Sequence, residues 1–183
     1  MNLKPHQQSN LYILDKFFNE ITNLINLKKL PSKILFSGPK GIGKSTLAYH
    51  LVNYIFSKNE MYSYIIKDKK INTENKSFKL IQNNSHPNFY LIDLIDDKKN
   101  IEIDQIRKMI NYTNKSSFNN MPKIILIDNA EKLNLNSSNA LLKIIEEPSN
   151  NSFFFLIHNS SRQMISTLKS RCLLYKINIS FTE

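Results

Sequence analysis

The sequence predicts an α/β protein of three layers, a parallel five-stranded sheet with helices on both faces. Three observations carry that expectation. Short, uninterrupted apolar runs recur along the chain, as strands buried on both faces require. Between them lie segments whose apolar residues fall at three- and four-residue steps, the period of a helix packed on one side. The stretch Gly38-Pro39-Lys40-Gly41-Ile42-Gly43-Lys44-Ser45-Thr46, which joins the first apolar run to the next helical segment, holds all 3 glycines of the 183-residue chain.

In order along the chain, Leu14, Phe17, Phe18, Ile21, Leu24 and Ile25 mark a first helix over about residues 7–28. Ile34-Leu35-Phe36 reads as a buried strand, and a second helix over about 44–57 places Leu47, Leu51, Val52 and Ile55 on one side. Residues 58–85 are polar, rich in Asn and Lys and weakly periodic, so an irregular insertion is expected there. Phe89-Tyr90-Leu91-Ile92 is a strand, Ile103, Ile106, Ile110 and Tyr112 a helix, and Ile124-Ile125-Leu126-Ile127 another strand. Leu141, Leu142, Ile144 and Ile145 lie on a helix stopped by Pro148, and Phe153-Phe154-Phe155-Leu156-Ile157 follows as a strand. A last strand then precedes the end of the chain at Glu183. No internal repeat interrupts this order, and the length suits one domain over residues 1–183.

Composition narrows the function. The formal charge of +10 suggests an anionic partner, nucleotide or nucleic acid, but the excess is mostly lysine, with Arg107, Arg162 and Arg171 the only arginines. A genome biased toward Asn, Ile and Lys would shift every surface the same way, so both readings stand. Cys172 is the only cysteine, which excludes an internal disulfide and a four-cysteine zinc site and fits a reducing compartment. No run approaches the roughly 18 apolar residues of a membrane span, so no membrane partner is expected and a cytoplasmic protein is.

The glycine stretch is the P-loop pattern, Gly38-x-x-x-x-Gly43-Lys44-Ser45, set between strand and helix. In such a loop backbone N–H groups curl around a β-phosphate, and a helix N-terminus adds partial positive charge. A phosphate approaches a backbone that closely only where no Cβ intervenes and φ can be positive, which calls for glycine. Lys44 would reach the β- and γ-phosphates and the Ser45 hydroxyl would ligate Mg2+. The competing reading is a Gly-Pro turn that matches by chance.

A P-loop needs an acidic partner at the end of another strand, and Asp128 follows Ile124-Ile125-Leu126-Ile127, at the edge where parallel sheets bind ligands. It could alternatively just begin a turn. Many P-loop ATPases carry a Glu at the next position to orient the attacking water. This chain has Asn129, which can hold water but cannot accept its proton, while Glu131 is expected to point elsewhere. Nucleotide binding is therefore better supported than hydrolysis.

These motifs, with Ser85-His86-Pro87-Asn88-Phe89, Ile103-Asp104-Gln105-Ile106-Arg107, the stretch from Asn139-Ala140-Leu141-Leu142-Lys143 to Ile144-Ile145-Glu146-Glu147-Pro148, and Ser170-Arg171-Cys172, resemble the bacterial clamp-loader branch of the AAA+ ATPases. The matching segments extend from about residue 5 to 177, in the same order and spacing. His86-Pro87 before a strand, and an aspartate without a following glutamate, resemble the delta-prime type of DNA polymerase III subunit and not the hydrolysing gamma/tau type.

The resemblance implies a fold of the P-loop AAA+ kind, ATP or ADP with Mg2+ held by Gly38–Thr46 and Asp128, and Arg171 as an arginine finger given to a neighbouring subunit. The alternative for Arg171 is a simple surface salt bridge, the lesser expectation in a chain with only three arginines. Asn159 matches the sensor-1 position by its distance before Ser170-Arg171-Cys172, though strand-end capping would use the same residue. Implied partners are gamma/tau-type and delta-type subunits, primed DNA within the complex and, indirectly, the sliding clamp. Lys108 and Lys143 could contact DNA phosphates. Asp104, Ser137 and Asn139 stand near helix starts as caps, and His86, His158 and Cys172 read as structural.

The family often carries a cysteine zinc module after the P-loop helix; with no cysteines there, no zinc is expected. Its helical lid and collar domains are absent from these residues, so weaker nucleotide binding is expected than in a complete subunit. The function implied is a clamp-loader subunit with weak or absent intrinsic ATPase activity. An active gamma/tau-type ATPase and a small-molecule P-loop kinase are the alternatives, the second disfavoured because the chain lacks an arginine cluster to grip a second phosphate.

Overall fold

A computed structural model describes residues 4–95, 98–148 and 151–179, so Glu183 and the chain end lie outside the described residues. The chain divides into two compact units. Pro31–Ile42 and Pro87–Asn178 form a sheet unit; the segment ending at Leu30 and Gly43–His86 form a helical unit.

The sheet unit holds five parallel strands: β1 (Lys33–Gly38), β2 (Phe89–Ile92), β3 (Lys123–Ile127), β4 (Ser152–Asn159) and β5 (Leu173–Lys176). Their order is β2-β3-β4-β1-β5, so the expected α/β fold with a five-stranded parallel sheet is present. Ile34, Leu35 and Phe36 are all fully buried, as are Ile124, Ile125, Leu126 and Ile127, which is why these strands read apolar without alternation. Each such side chain contributes about 1.5–3 kcal/mol by leaving water. Helices α4 (Ile103–Thr113) and α5 (Leu135–Glu146), which follow β2 and β3, pack on each other, and Ile106, Met109, Leu141 and Ile145 join Leu35, Ile125, Ile127, Phe154 and Leu156 in one core. A short helix α6 (Ser166–Lys169) sends Leu168 into the same core.

The helical unit contains α1 (Asp15–Asn26), α2 (Lys44–Ser57) and α3 (Lys76–Gln82). The first helix starts later than the periodicity of residues 7–28 suggests, because residues 9–11 run extended beside residues 69–71: Leu11 N–H donates to Lys69 O at 3.0 Å and Ile71 N–H to Ser9 O at 2.8 Å. The helix ends where Lys28 turns left-handed at φ 55°.

The segment expected to be an irregular insertion is ordered instead. Tyr64, Ile71, Phe78 and Ile81 are buried, and Asn75 caps α3 by accepting from Phe78 N–H at 2.7 Å. The Glu60 carboxylate accepts from Lys76 N–H (2.9 Å) and Ser77 N–H (3.1 Å), satisfying two more donors at that helix start. These are side-chain-to-backbone bonds, which leave no periodic signature in a sequence.

Candidate functional site

The loop after β1 begins at a glycine whose role is packing. Ile177 N–H donates to Ser37 O at 2.7 Å, and a Cβ on Gly38 would lie 2.2 Å from Ile177 O. Gly38 is therefore demanded by the neighbouring backbone, apart from any approach of a phosphate. The other two glycines have the predicted geometry: Gly41 has φ 84° with nothing within 4 Å of a Cβ position, and Gly43 has φ 93°. Either would strain a residue with a side chain.

Gly43 stands at the N-cap of α2, with Leu14 Cδ1 3.3 Å from its Cβ position, and its carbonyl accepts from Leu47 N–H at 2.9 Å. Lys44 is the first helical residue and is buried. Ser45 is half-buried, and Thr46 Oγ1 donates to Gln8 Oε1 at 3.2 Å. Pro39, Lys40 and Gly41 are exposed, and Ile42 is half-buried. A helix of this length, opened by two left-handed glycines, is a backbone suited to an anion.

In the sheet unit, the C-terminal ends of β3 and β4 carry Asp128 and Asn159. Asp128 N–H donates to Ile92 O at 2.9 Å, and Asp128 Oδ1 accepts from Asn129 N–H at 2.8 Å. Asn129 is left-handed at φ 54°, and its Nδ2 donates to Asp93 Oδ1 at 2.7 Å. Asp93, at the end of β2, also accepts from Leu94 N–H. The residue where many ATPases hold a water is thus tied by its side chain to a neighbouring carboxylate.

Asn159 pairs in register with Gly38, and Ser160 N–H donates to Gly38 O at 3.0 Å, so the tip of β4 lies beside the strand end that opens the loop. The Asn159 side chain accepts from Ser161 N–H at 3.1 Å, which is the capping role, made with its oxygen. Glu131, expected to point elsewhere, is turned back by Asn129 and the 3-10 turn Ala130–Lys132, and its Oε2 accepts from Asn159 N–H at 3.0 Å. Neither Asp93 nor Glu131 figured among the predicted site residues; an acidic residue after a strand is the only trace of them in the sequence.

His158 bridges the same strands. Its Nε2 faces Arg162 O at 2.9 Å, a pure acceptor, so Nε2 carries the proton and Nδ1 accepts from the Ser37 hydroxyl at 2.9 Å. In the helical unit, His86 is stacked on Phe56 with ring centroids 4.1 Å apart, and burial pushes its pKa down to about 4. Burial raises the Cys172 thiol to about 11, which makes it a poor nucleophile.

Arg171 follows α6 closely. Its Nε and Nη2 both meet Glu146 Oε1 at 2.7 Å, and Nη1 donates to Thr167 O at 3.0 Å, so the alternative of a surface ion pair is realised. Lys108 and Lys143 are exposed on α4 and α5. Asp104 pairs with Arg107 at 3.0 Å, Glu102 occupies the helix cap, and Ser137 Oγ donates to Ile101 O at 2.7 Å while Asn134 caps α5.

Comparison with known proteins gives concordant matches. A model of the family described as DNA polymerase III, delta subunit, matches residues 13–180. DNA polymerase III subunit delta' of Buchnera aphidicola subsp. Schizaphis graminum is 33% identical over 90% of this chain and 48% of its own length. The subunit of the same name from Pseudomonas aeruginosa is 30% identical over 76% of this chain and 40% of its own. DNA polymerase III subunit gamma of the same Buchnera is 33% identical over 89% of this chain and 42% of its own. The chain thus spans about half the length, or less, of these relatives.

Among solved structures, a DNA polymerase III gamma subunit-related protein from Thermotoga maritima superposes with a TM-score of 0.64 at 20% identity, covering 88% of this chain and 46% of that one. The Holliday junction branch migration motor RuvB of the same organism gives 0.53 at 16% identity, over 96% and 49%. Both share the fold of the AAA+ proteins. Among the described residues no helix is long and apolar enough to cross a membrane.

Proposed function

The chain belongs to the DNA polymerase III delta-subunit family, and from that premise we propose that it is a clamp-loader subunit of delta-prime type in DNA replication. In this reading it works in the cytoplasm beside gamma/tau-type and delta-type subunits, helping to place the sliding clamp on primed DNA.

Its nucleotide would be ATP or ADP with Mg2+. The supporting observation is the loop itself: two left-handed glycines, one with open space where a Cβ would stand, lead directly into α2 at Lys44. The N–H groups of residues 41–45 would receive a β-phosphate, Lys44 would set its charge against the β- and γ-phosphates, and the amide of Asn159 would serve the γ-phosphate. The Ser45 hydroxyl and the Asp128 carboxylate are oxygen donors of the kind Mg2+ takes. Bound there, Mg2+ would neutralise phosphate charge. Asn129 cannot act as a base and its amide is engaged by Asp93, which favours holding the nucleotide over turning it over. Arg171 is donated to the nucleotide of an adjacent gamma/tau-type ATPase.

Calorimetric titration with ATP and Mg2+ beside Lys44→Ala, with phosphate release followed in the same samples, tests this. Binding lost in Lys44→Ala, without turnover in either, is the expected result. Turnover by the chain alone would favour an active ATPase, and no binding would leave a scaffold.

A further inference from the structure

Arg171 is held differently from Arg107, which is also ion-paired among the described residues. Arg107 meets Asp104 through one contact of 3.0 Å, with both side chains largely exposed at 65% and 74%. Arg171 engages all three of its nitrogens, two on Glu146 and one on the Thr167 carbonyl, and its side chain is 39% exposed. The two anchors come from different elements: Glu146 is the last residue of α5, and Thr167 lies in α6. These helices contact each other, and the fully buried Leu168 fixes α6 to the core. The guanidinium is thereby clamped to the rigid part of the unit although it lies at the surface.

Nε–H donates to Glu146 and Nη1–H to the Thr167 carbonyl, and Nη2 lies against the same Glu146 oxygen, so the plane of the guanidinium is held at three points. A long side chain already fixed in one rotamer loses little freedom when an anion arrives, which is the condition for a group that must meet a transition state accurately.

We propose that Glu146 is a positioning residue for Arg171, holding the guanidinium in the orientation presented to a neighbouring subunit's nucleotide. The inference rests on the reading of Arg171 as an arginine donated in trans. Glu146 touches no substrate and acts only through Arg171. The alternative, that the carboxylate restrains the arginine and must release it, predicts the opposite change in rate.

The test uses the protein as its cell makes it, assembled with the gamma-type ATPase subunit, clamp and primed DNA, with kcat and KM for ATP measured for Arg171→Ala, Glu146→Ala and Glu146→Gln. Arg171→Ala should lower kcat about 10³-fold. Glu146→Ala should lower it about tenfold with KM unchanged, and Glu146→Gln, which still offers an oxygen to the guanidinium, should recover part of the loss. In the free chain the Nε–H resonance of Arg171, one of only three arginine Nε signals, should broaden in Glu146→Ala. If Glu146→Ala matches or exceeds the wild-type rate while Arg171→Ala is defective, the arginine finger stands and the positioning role is wrong. If Arg171→Ala is itself unaffected, the reading in trans fails and the positioning role falls with it.

Discussion

The carboxylate of Glu131 holds the backbone N–H of Asn159 at 3.0 Å, linking the turn after β3 to the tip of β4. Because Asn159 stands in register with Gly38, this one contact ties the segment carrying Asp128 to the strand that opens the loop. A charged acceptor on a partly buried N–H is worth about 1.5–3 kcal/mol. Glu131→Ala is therefore expected to lower unfolding free energy by about 2 kcal/mol in urea denaturation, with Glu131→Gln restoring much of it. Equal stabilities for the alanine and wild-type chains would show that the contact contributes nothing.

Two glycines of the loop should respond differently to the same substitution. Gly38→Ala puts a methyl group 2.2 Å from the Ile177 carbonyl oxygen, so the strand pair must open, and a loss of about 3 kcal/mol or more is expected. Gly41→Ala meets no atom within 4 Å and bears only the left-handed backbone cost of about 1–2 kcal/mol. Its principal effect should be weaker ATP binding in calorimetry. A more stable Gly38→Ala than Gly41→Ala would contradict this division.

Acid sensitivity should come from two buried histidines of the helical unit. Burial lowers both His50 and His86 from 6.5 to about 4, so each stays neutral when folded and takes up a proton when unfolded between those values. The unfolded chain binds more protons across that window, so stability is fully present above pH 6.5 and falls as pH drops toward 4. Each histidine adds a slope of up to about 1.4 kcal/mol per pH unit. Denaturant midpoints measured between pH 5 and 6.5, where carboxylates contribute little, should rise with pH and do so less steeply in His86→Phe. A flat profile would mean that the histidines titrate normally.

Lys123 should prove structural despite its charge. Its Nζ donates to the carbonyls of Tyr112 (2.8 Å), Thr113 (3.1 Å) and Lys115, closing the C-terminal end of α4, and sits 4.9 Å from the Tyr112 ring. Lys123→Met leaves three carbonyls without their donor and should cost about 2–3 kcal/mol by thermal or chemical unfolding. Were Lys123 instead a phosphate contact, the variant would keep its stability and lose salt-dependent DNA binding.

Much of the architecture was legible because the strands are buried on both sides: Ile124-Ile125-Leu126-Ile127 can hardly be read otherwise, and α4 and α5 keep their helical period. The P-loop was legible for a different reason. Left-handed backbone at Gly41 and Gly43 leaves few residue choices, so a chain with only 3 glycines advertises where it needs them. The order of the motifs around Asp128, Asn159 and Arg171 likewise survives in one dimension, because each sits at a fixed distance from a strand end or helix.

The tertiary structure decided what depends on partners distant in sequence. Gly38 is needed because a backbone carbonyl 139 residues later crosses its face, which no local pattern records. The segment after α2 folds through Glu60, Asn75 and Ser57, polar residues whose side-chain bonds to the backbone N–H groups of Lys76, Phe78 and Tyr64 have no period. Glu131 meets Asn159, Asp93 meets Asn129, and Glu146 meets Arg171 only because parallel strands and the helices between them bring their ends to the same edges. Sequence alone thus specified the buried strands, the longer helices and the loop, since these follow from local backbone sterics and burial period, while α3 escaped it. Contacts between side chains at the ends of those elements required the folded sheet, since register sets them and no single segment contains it.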